Sequence, residues 1–240
     1  MSFLDYDRLN AIDAAAFRSR RPYPWINPLG LLTEEGHATL RAALPDVSQF
    51  DRVFGKKRMH GQRSHDRYIL EYDPNLAVDD AWRAFIGELS GEPYVCFLKR
   101  MFGCRSLRLR YHWHYTPKGC SVSPHCDAKD KFGSHIFYFN TADDWDPSWG
   151  GETVILDDGG RLSRNSAPAF DDFDRVIESE AMGNTSLLFT QTGNSWHGVR
   201  EITCPDGALR KVFIVVVERP VLGLRRQVAL GLRRMRGLRS

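Results

Sequence analysis

From Leu107 to Tyr115 the chain alternates: Leu107, Leu109, Tyr111, Trp113 and Tyr115 at odd positions, Arg108, Arg110, His112 and His114 at even ones. A repeat of two is that of a β-strand, whose successive side chains leave on opposite faces. The segment therefore predicts a long strand with one aromatic face and one basic face. His112 and His114, lying opposite the aromatics, are expected to be exposed or packed under a loop. Further candidate strands lie at 134–140, 152–156, 185–190 and 211–218, separated by turn clusters at 143–147 and 157–160. The last of these holds Val212 to Val217, apolar on both faces and so expected to be buried on both.

The first hundred residues are punctuated differently. Thr33 followed by Glu34 and Glu35 predicts a capped helix running to about Ala43, before Pro45. Ala81, Trp82, Phe85, Ile86 and Leu89 share one face of a second helix over 78–89, which Gly91-Glu92-Pro93 ends. The segment 94–101 reads equally as helix or strand. Helices first and short strands after predict an α+β, mainly β fold: a double-sheet jelly roll with N-terminal helices packed on one sheet. The expected organisation is a single domain over 1–220, with 1–105 as helical support and 106–218 as the core, followed by a basic tail over 221–240.

Charge bears on what such a domain binds. Lys and Arg number 33 and Asp and Glu 30, but seven arginines fall between Arg219 and Ser240 with no acid among them. The rest of the chain has 26 basic residues against 30 acidic, so the folded body is not expected to bind nucleic acid. A small-molecule or peptidyl substrate fits it better. In the tail, Val221, Leu224, Val228, Leu232 and Met235 recur at helical spacing among arginines, which suits an anionic membrane surface or an acidic partner, although three glycines weaken that helix. Five cysteines without a CxxC pair argue against a disulfide framework or a structural zinc site. Asp5, Asp7, Arg8 and Asp13 stand where a signal peptide needs an apolar core, so a reducing cytoplasm is the expected location.

The chemistry concentrates in His125-Cys126-Asp127. In extended backbone, residues i and i+2 project to one side, so the imidazole and the carboxylate can converge on a metal ion while Cys126 points away. Such a pair alone is common at protein surfaces and needs a third ligand from another strand. The best candidate is His197, between the strand ending near Thr190 and the long apolar strand after Leu209. Two histidines and one carboxylate on one side of a metal leave the opposite positions open, which suits non-haem Fe(II) that must bind a co-substrate and O2. Arg210 opens the buried strand, where a guanidinium requires an anionic partner and fits a carboxylate in two-point contact.

The order of these residues resembles that of the Fe(II)- and 2-oxoglutarate-dependent dioxygenases, especially their prolyl-hydroxylase-like branch. The likeness covers about 107–218. Tyr115-Thr116-Pro117-Lys118-Gly119 stands ten residues before His125 like a Tyr-containing turn of that branch. Tyr138-Phe139-Asn140, Asp144-Trp145 and Gly150-Gly151-Glu152 are similar to its YLN, DW and GGE run. The resemblance implies a double-stranded β-helix (jelly roll, cupin-like) core, with Fe(II), 2-oxoglutarate and O2 as cofactor and co-substrates. It further implies iron held by His125, Asp127 and His197, the distal carboxylate of 2-oxoglutarate on Arg210 and Tyr138, and a co-substrate pocket lined by Tyr115 and Tyr111. Arg210 is favoured over its rival Lys211 because its offset matches the family's pattern. The implied reaction is hydroxylation, and the retained Asp127 argues against halogenation. A cupin-like metalloenzyme without 2-oxoglutarate and a non-enzymatic metal-binding sensor are the competing readings. His135 is expected near the site entrance, and 23–67 and 161–174 as its lid and wall.

Overall fold

The protein was analysed as a computed structural model that describes residues 2–220; the tail helix expected over 221–240 lies outside the described residues. The elements in chain order are α1 (Tyr6–Ala11), α2 (Ala14–Ser19), β1 (Trp25–Ile26), α3 (Glu34–Ala42), β2 (Asp51–Val53), β3 (Arg67–Glu71), α4 (Asp80–Ser90), α5 (Glu92–Phe102), β4 (Arg108–Pro117), β5 (Val122–His125), β6 (Lys131–Tyr138), β7 (Val154–Asp157), β8 (Arg175–Glu178), β9 (Ser186–Thr190), β10 (His197–Val199) and β11 (Leu209–Glu218). No helix among the described residues is long and apolar enough to cross a membrane.

The helix starts follow local chemistry. Thr33 Oγ1 accepts the Gly36 N–H at 3.0 Å and caps α3, and Asp79 accepts from Ala81 at the start of α4. Gly91 separates α4 from α5, whose second residue is Pro93. The ambiguous segment 94–101 is therefore helix; Tyr94, Phe97, Leu98 and Met101 form its buried face.

Eight strands make the core. β9, β6, β11 and β4 are consecutive in a major sheet, and β5, β10, β7 and β8 form a minor sheet facing it, a double-stranded β-helix. The first 105 residues are not only helical: they add β1 at one edge of the major sheet and β3 and β2 at the other. Short, irregular strands of this kind carry too few residues to show a period.

β11 lies between β4 and β6, with Phe213 opposite both Trp113 and Phe137, and it is covered on both faces. Its outer face carries Phe213, Val215 and Val217 into a core shared with the helices. Its inner face carries Arg210, Ile214 and Val216 toward the minor sheet and lines an internal cavity. Trp82 of α4 centres the outer core, with ring centroids 5.0 Å from Trp113, 5.3 Å from Phe139 and 4.9 Å from Phe213. This aromatic contact fixes the helical layer to β4, β11 and the residue that follows β6. Trp82→Ala should accordingly cost about 3–5 kcal/mol of stability, read as a lowered urea midpoint; a loss below about 1 kcal/mol would mean that the layers are held elsewhere.

Candidate metal centre and co-substrate pocket

Antiparallel pairing of β10 with β5 sets His197 directly opposite His125, and the ring centroids are 4.4 Å apart. Asp127 follows in the link to β6. One donor atom from each of His125, Asp127 and His197 can be chosen so that all lie within 4.8 Å of one another. Each imidazole is oriented by the carbonyl two residues before it: His125 Nδ1 lies 3.0 Å from Ser123 O, and His197 Nδ1 3.0 Å from Ser195 O. A carbonyl oxygen only accepts, so both Nδ1 atoms carry the proton and both Nε2 atoms keep a lone pair for a metal. Gly198 is required beside this pair, because a Cβ there would stand 2.6 Å from Val122 O and 3.0 Å from the Phe170 ring.

Burial would raise the Asp127 pKa, but Lys131, His197 and His125 outweigh it and hold the carboxyl below its usual range. Its Oδ1 accepts from Lys131 Nζ at 2.7 Å, and its backbone carbonyl accepts from Arg164 Nη2 at 2.7 Å. Burial also holds His125 and His197 below the ordinary imidazole pKa. Two neutral imidazoles and one carboxylate are a donor set that fits Fe(II) and other divalent first-row metals.

The residues around Arg210 are built to present it. Its Nε donates to Gly151 O and its Nη2 to Thr153 Oγ1 at 3.2 Å, and the Tyr138 ring centroid is 5.5 Å from its guanidinium carbon. Tyr138 Oη donates to the same Thr153 Oγ1 at 3.0 Å. Gly151 has φ +99°, and a Cβ on it would stand 3.1 Å from Arg210 Cδ. Asn140 Oδ1 accepts the Lys211 N–H and its Nδ2 donates to Leu209 O, clamping the backbone on both sides of Arg210. Trp145 Nε1 donates to Gly150 O. Lys211 leaves on the opposite face and pairs with Asp144 at 2.8 Å. Arg210 is buried, lines the cavity and has no carboxylate within 4 Å among the described residues. That is the condition of an anion receptor, and it fits the distal carboxylate of 2-oxoglutarate.

The cavity between the sheets measures about 480 Å3 and is lined by His125, Asp127, His197, Thr153 and Arg210 with apolar walls from Ile136, Phe189, Val199 and Ile214. The face of β4 that reaches it is the basic one. His112 and His114 line the cavity, their rings stacked at 4.4 Å, which corrects their expected place at the surface. Tyr111 and Tyr115 point the other way, into the core beneath the helices, and do not line the pocket. Tyr115 Oη donates to Pro45 O at 2.9 Å and its ring stacks on Phe50; Tyr111 Oη lies 2.8 Å from Ser90 Oγ. The reason is that β4 is covered on both faces, so its apolar face meets the helical layer and its polar face the site. His135 is likewise in the outer core, its Nδ1 2.8 Å from Tyr94 Oη, rather than at an entrance. Trp196 and Cys126 pack with Leu156 and Phe173.

Both segments expected to wall the site reach it, 23–67 through Arg58, His65 and Arg67 and 161–174 through Arg164 on the Asp127 carbonyl. The three residues from the first segment were not singled out from sequence. Their only signal is the density of basic side chains over 56–67.

Two expectations follow. Tyr115→Phe should cost about 1 kcal/mol of stability, the worth of one hydrogen bond, and leave 2-oxoglutarate affinity unchanged; weakened affinity would return Tyr115 to the pocket. Burial lowers the pKa of His37, His65, His112, His114, His125, His135 and His197. The unfolded chain protonates these near pH ~6.5 and so binds more protons than the folded one. Stability of the metal-free protein should therefore fall as pH drops below about 6.5, by up to about 1.4 kcal/mol per pH unit for each histidine that stays neutral. Urea midpoints between about pH 7 and 5 measure this, and a flat profile would contradict it.

Comparison with known proteins agrees with this geometry. Residues 110–216 match the family model described as the 2OG-Fe(II) oxygenase superfamily. No curated protein matches the chain in sequence. An oxidoreductase of the 2OG-Fe(II) oxygenase family from Burkholderia pseudomallei is similar in structure, with a TM-score of 0.58 at 18% identity over 87% of this chain and 91% of that one. A prolyl hydroxylase from Trichoplax adhaerens, solved with a hypoxia inducible factor oxygen degradation domain peptide fragment, gives 0.61 at 12% identity over 89% and 90%. HygX from Streptomyces hygroscopicus, solved with nickel and 2-oxoglutarate bound, gives 0.55 at 10% identity over 81% and 82%. The core sequence over 110–216 and the fold over nearly nine-tenths of the chain thus both match the 2OG-Fe(II) oxygenases.

Proposed function

We propose that this chain is a 2-oxoglutarate-dependent Fe(II) oxygenase that hydroxylates a C–H bond of a small-molecule or peptidyl substrate. The observation that carries the reading is the cross-strand pairing of His197 with His125 beside Asp127, in the same cavity as an arginine with no carboxylate within 4 Å among the described residues. In this reading His125 Nε2, His197 Nε2 and an Asp127 oxygen hold Fe(II), and Arg210 anchors the distal carboxylate of 2-oxoglutarate; Tyr138, expected on that carboxylate, does not line the cavity and donates to Thr153 instead. When bound, this centre supplies the oxidising chemistry: 2-oxoglutarate and O2 become succinate and CO2, and one oxygen atom enters the substrate C–H bond.

The protein's own work is binding, orientation and exclusion of water. The Ser123 and Ser195 carbonyls hold the imidazoles in one tautomer and one orientation. Lys131 keeps Asp127 ionised and oriented. Thr153, receiving from both Tyr138 and Arg210, braces the guanidinium against the Tyr138 hydroxyl. Ile136, Phe189, Val199 and Ile214 give the site apolar walls, which strengthen the charge contacts made inside it.

Asp127→Ala should abolish tight Fe(II) binding and succinate formation. Arg210→Ala should retain Fe(II) but bind 2-oxoglutarate about ten- to a hundredfold more weakly, the worth of ~1.5–3 kcal/mol for a charge-assisted contact. Anaerobic titration with Fe(II) and then 2-oxoglutarate, followed by the visible absorption of the chelate, reads both constants. Unchanged 2-oxoglutarate affinity in the Arg210 variant would assign the anchor elsewhere, and an undiminished Fe(II) affinity in the Asp127 variant would dismantle the triad.

A further inference from the structure

Arg58, Arg67, Arg110, Lys131 and Arg210 line the cavity, and they differ in whether an acid meets them. Of its cationic lining residues, Arg110 is met by Glu71 at 2.9 Å and Glu218 at 2.6 Å, and Lys131 by Asp127. Arg210 is set aside for the co-substrate. Arg58 and Arg67 remain, and neither has a carboxylate within 4 Å among the described residues. Arg67 is largely enclosed: its Nη1 donates to His65 O at 2.7 Å, while its buried Nε has no hydrogen-bond partner. Arg58 makes one long contact, from Nε to Gln62 Oε1 at 3.4 Å.

Two guanidinium groups that line one cavity with no carboxylate in ion-pair contact repel each other and lose hydration; Asp127 acts on Arg58 and Asp66 on Arg67 only from beyond 4 Å. Each guanidinium adds to the burial that already lowers the pKa of the imidazole between them, His65, which falls to about 3 and stays neutral. A chain that keeps such a pair in a cavity leaves their compensation to a ligand. The pair also stands on a defined side of the candidate metal. The His65 ring is 4.6 Å from that of His125, and its Nε2 lies 3.1 Å from Ser123 Oγ. Arg210 is held instead by Gly151 O and Thr153 Oγ1.

In the oxygenase reading Arg210 takes the distal carboxylate of 2-oxoglutarate and the metal takes its other end, which leaves Arg58 and Arg67 without a carboxylate in ion-pair contact among the described residues. We infer that Arg58 and Arg67, with His65 between them, form the substrate-anchoring subsite, and that the substrate is an anion whose carboxylate or phosphate group docks on these two guanidinium groups beside His125. The inference rests on the oxygenase reading, because it takes Arg210 to be committed to 2-oxoglutarate. Paired arginines suit both anions, since the planar fork matches two oxygens of either.

The test uses the full chain loaded with Mn(II) and saturating 2-oxoglutarate, and two probes in separate arms: inorganic phosphate, followed by 31P relaxation, and acetate, followed by 1H relaxation. Paramagnetic enhancement reports an anion held close to the metal, and excess 2-oxoglutarate keeps either probe off Arg210. In the wild type at least one probe should show saturable enhancement, and the arm that does identifies the anion. Arg58→Gln with Arg67→Gln should weaken that binding at least tenfold while Mn(II) and 2-oxoglutarate affinities stay within about twofold. Those two affinities also report that the variant is folded. Arg58→Gln alone, whose side chain is less enclosed, should weaken it severalfold. Saturable enhancement that is equal in the wild type and the double variant, or none with either probe in a wild type that binds metal and 2-oxoglutarate, would overturn the subsite. A wild type that binds neither Mn(II) nor 2-oxoglutarate would instead overturn the oxygenase reading, and the subsite with it.

Discussion

The register of one short strand pair governs everything the candidate site can do. β10 has only three residues and β5 four, yet their antiparallel pairing sets His197 against His125 across the sheet. A slip of one residue would send one imidazole to the far face. The register is held from both sides of β10, since His197 also pairs with Ile155 of β7, whose side chain is fully buried. Gly198 allows Val122 and Phe170 to approach where any side chain would push the strands apart. The imidazoles are then aimed by their own backbone, through carbonyls two residues away. Two donors are thus fixed by sheet geometry, and the third needs only the turn that follows His125.

Much of this was legible in the sequence, because local pattern and tertiary role agree there. The HxD spacing, the downstream histidine and the arginine at the head of a doubly apolar strand each have one comfortable reading. The Tyr138-Phe139-Asn140, Asp144-Trp145 and Gly150-Gly151 motifs turn out to be one device: Asn140 clamps the backbone around Arg210, Gly151 makes room for its side chain, and Trp145 ties down the turn between them. Alternation also separates Arg210 from Lys211, which ends on Asp144 on the other face of β11.

Where the reading failed, the cause was a sheet with two covered faces. Alternation in β4 correctly separates Tyr111 and Tyr115 from His112 and His114, but it cannot say which face meets the site. An aromatic face is an obvious pocket wall only when the opposite face is solvent. Here α4 and α5 cover the aromatic face, and Trp82 against Trp113 and Phe213 is the contact that sets the orientation. Arg58, His65 and Arg67 were illegible for a related reason. They sit on a loop and at the start of the short strand β3, where no periodicity applies, and only the folded chain brings them to the cavity.

Charge placement ties fold to chemistry. A buried guanidinium is costly unless its donors and its charge are both answered. For Arg210 the donors are answered by Gly151 O and Thr153 Oγ1, while the charge is left for a ligand. Arg110 shows the alternative, since Glu71 and Glu218 neutralise it and it needs nothing more. The same cavity therefore contains an arginine paired with two acids and arginines with no carboxylate within 4 Å among the described residues. Lys131 and the two imidazoles already hold Asp127 ionised, so a carboxylate stands beside the two imidazole lone pairs at the metal-binding face.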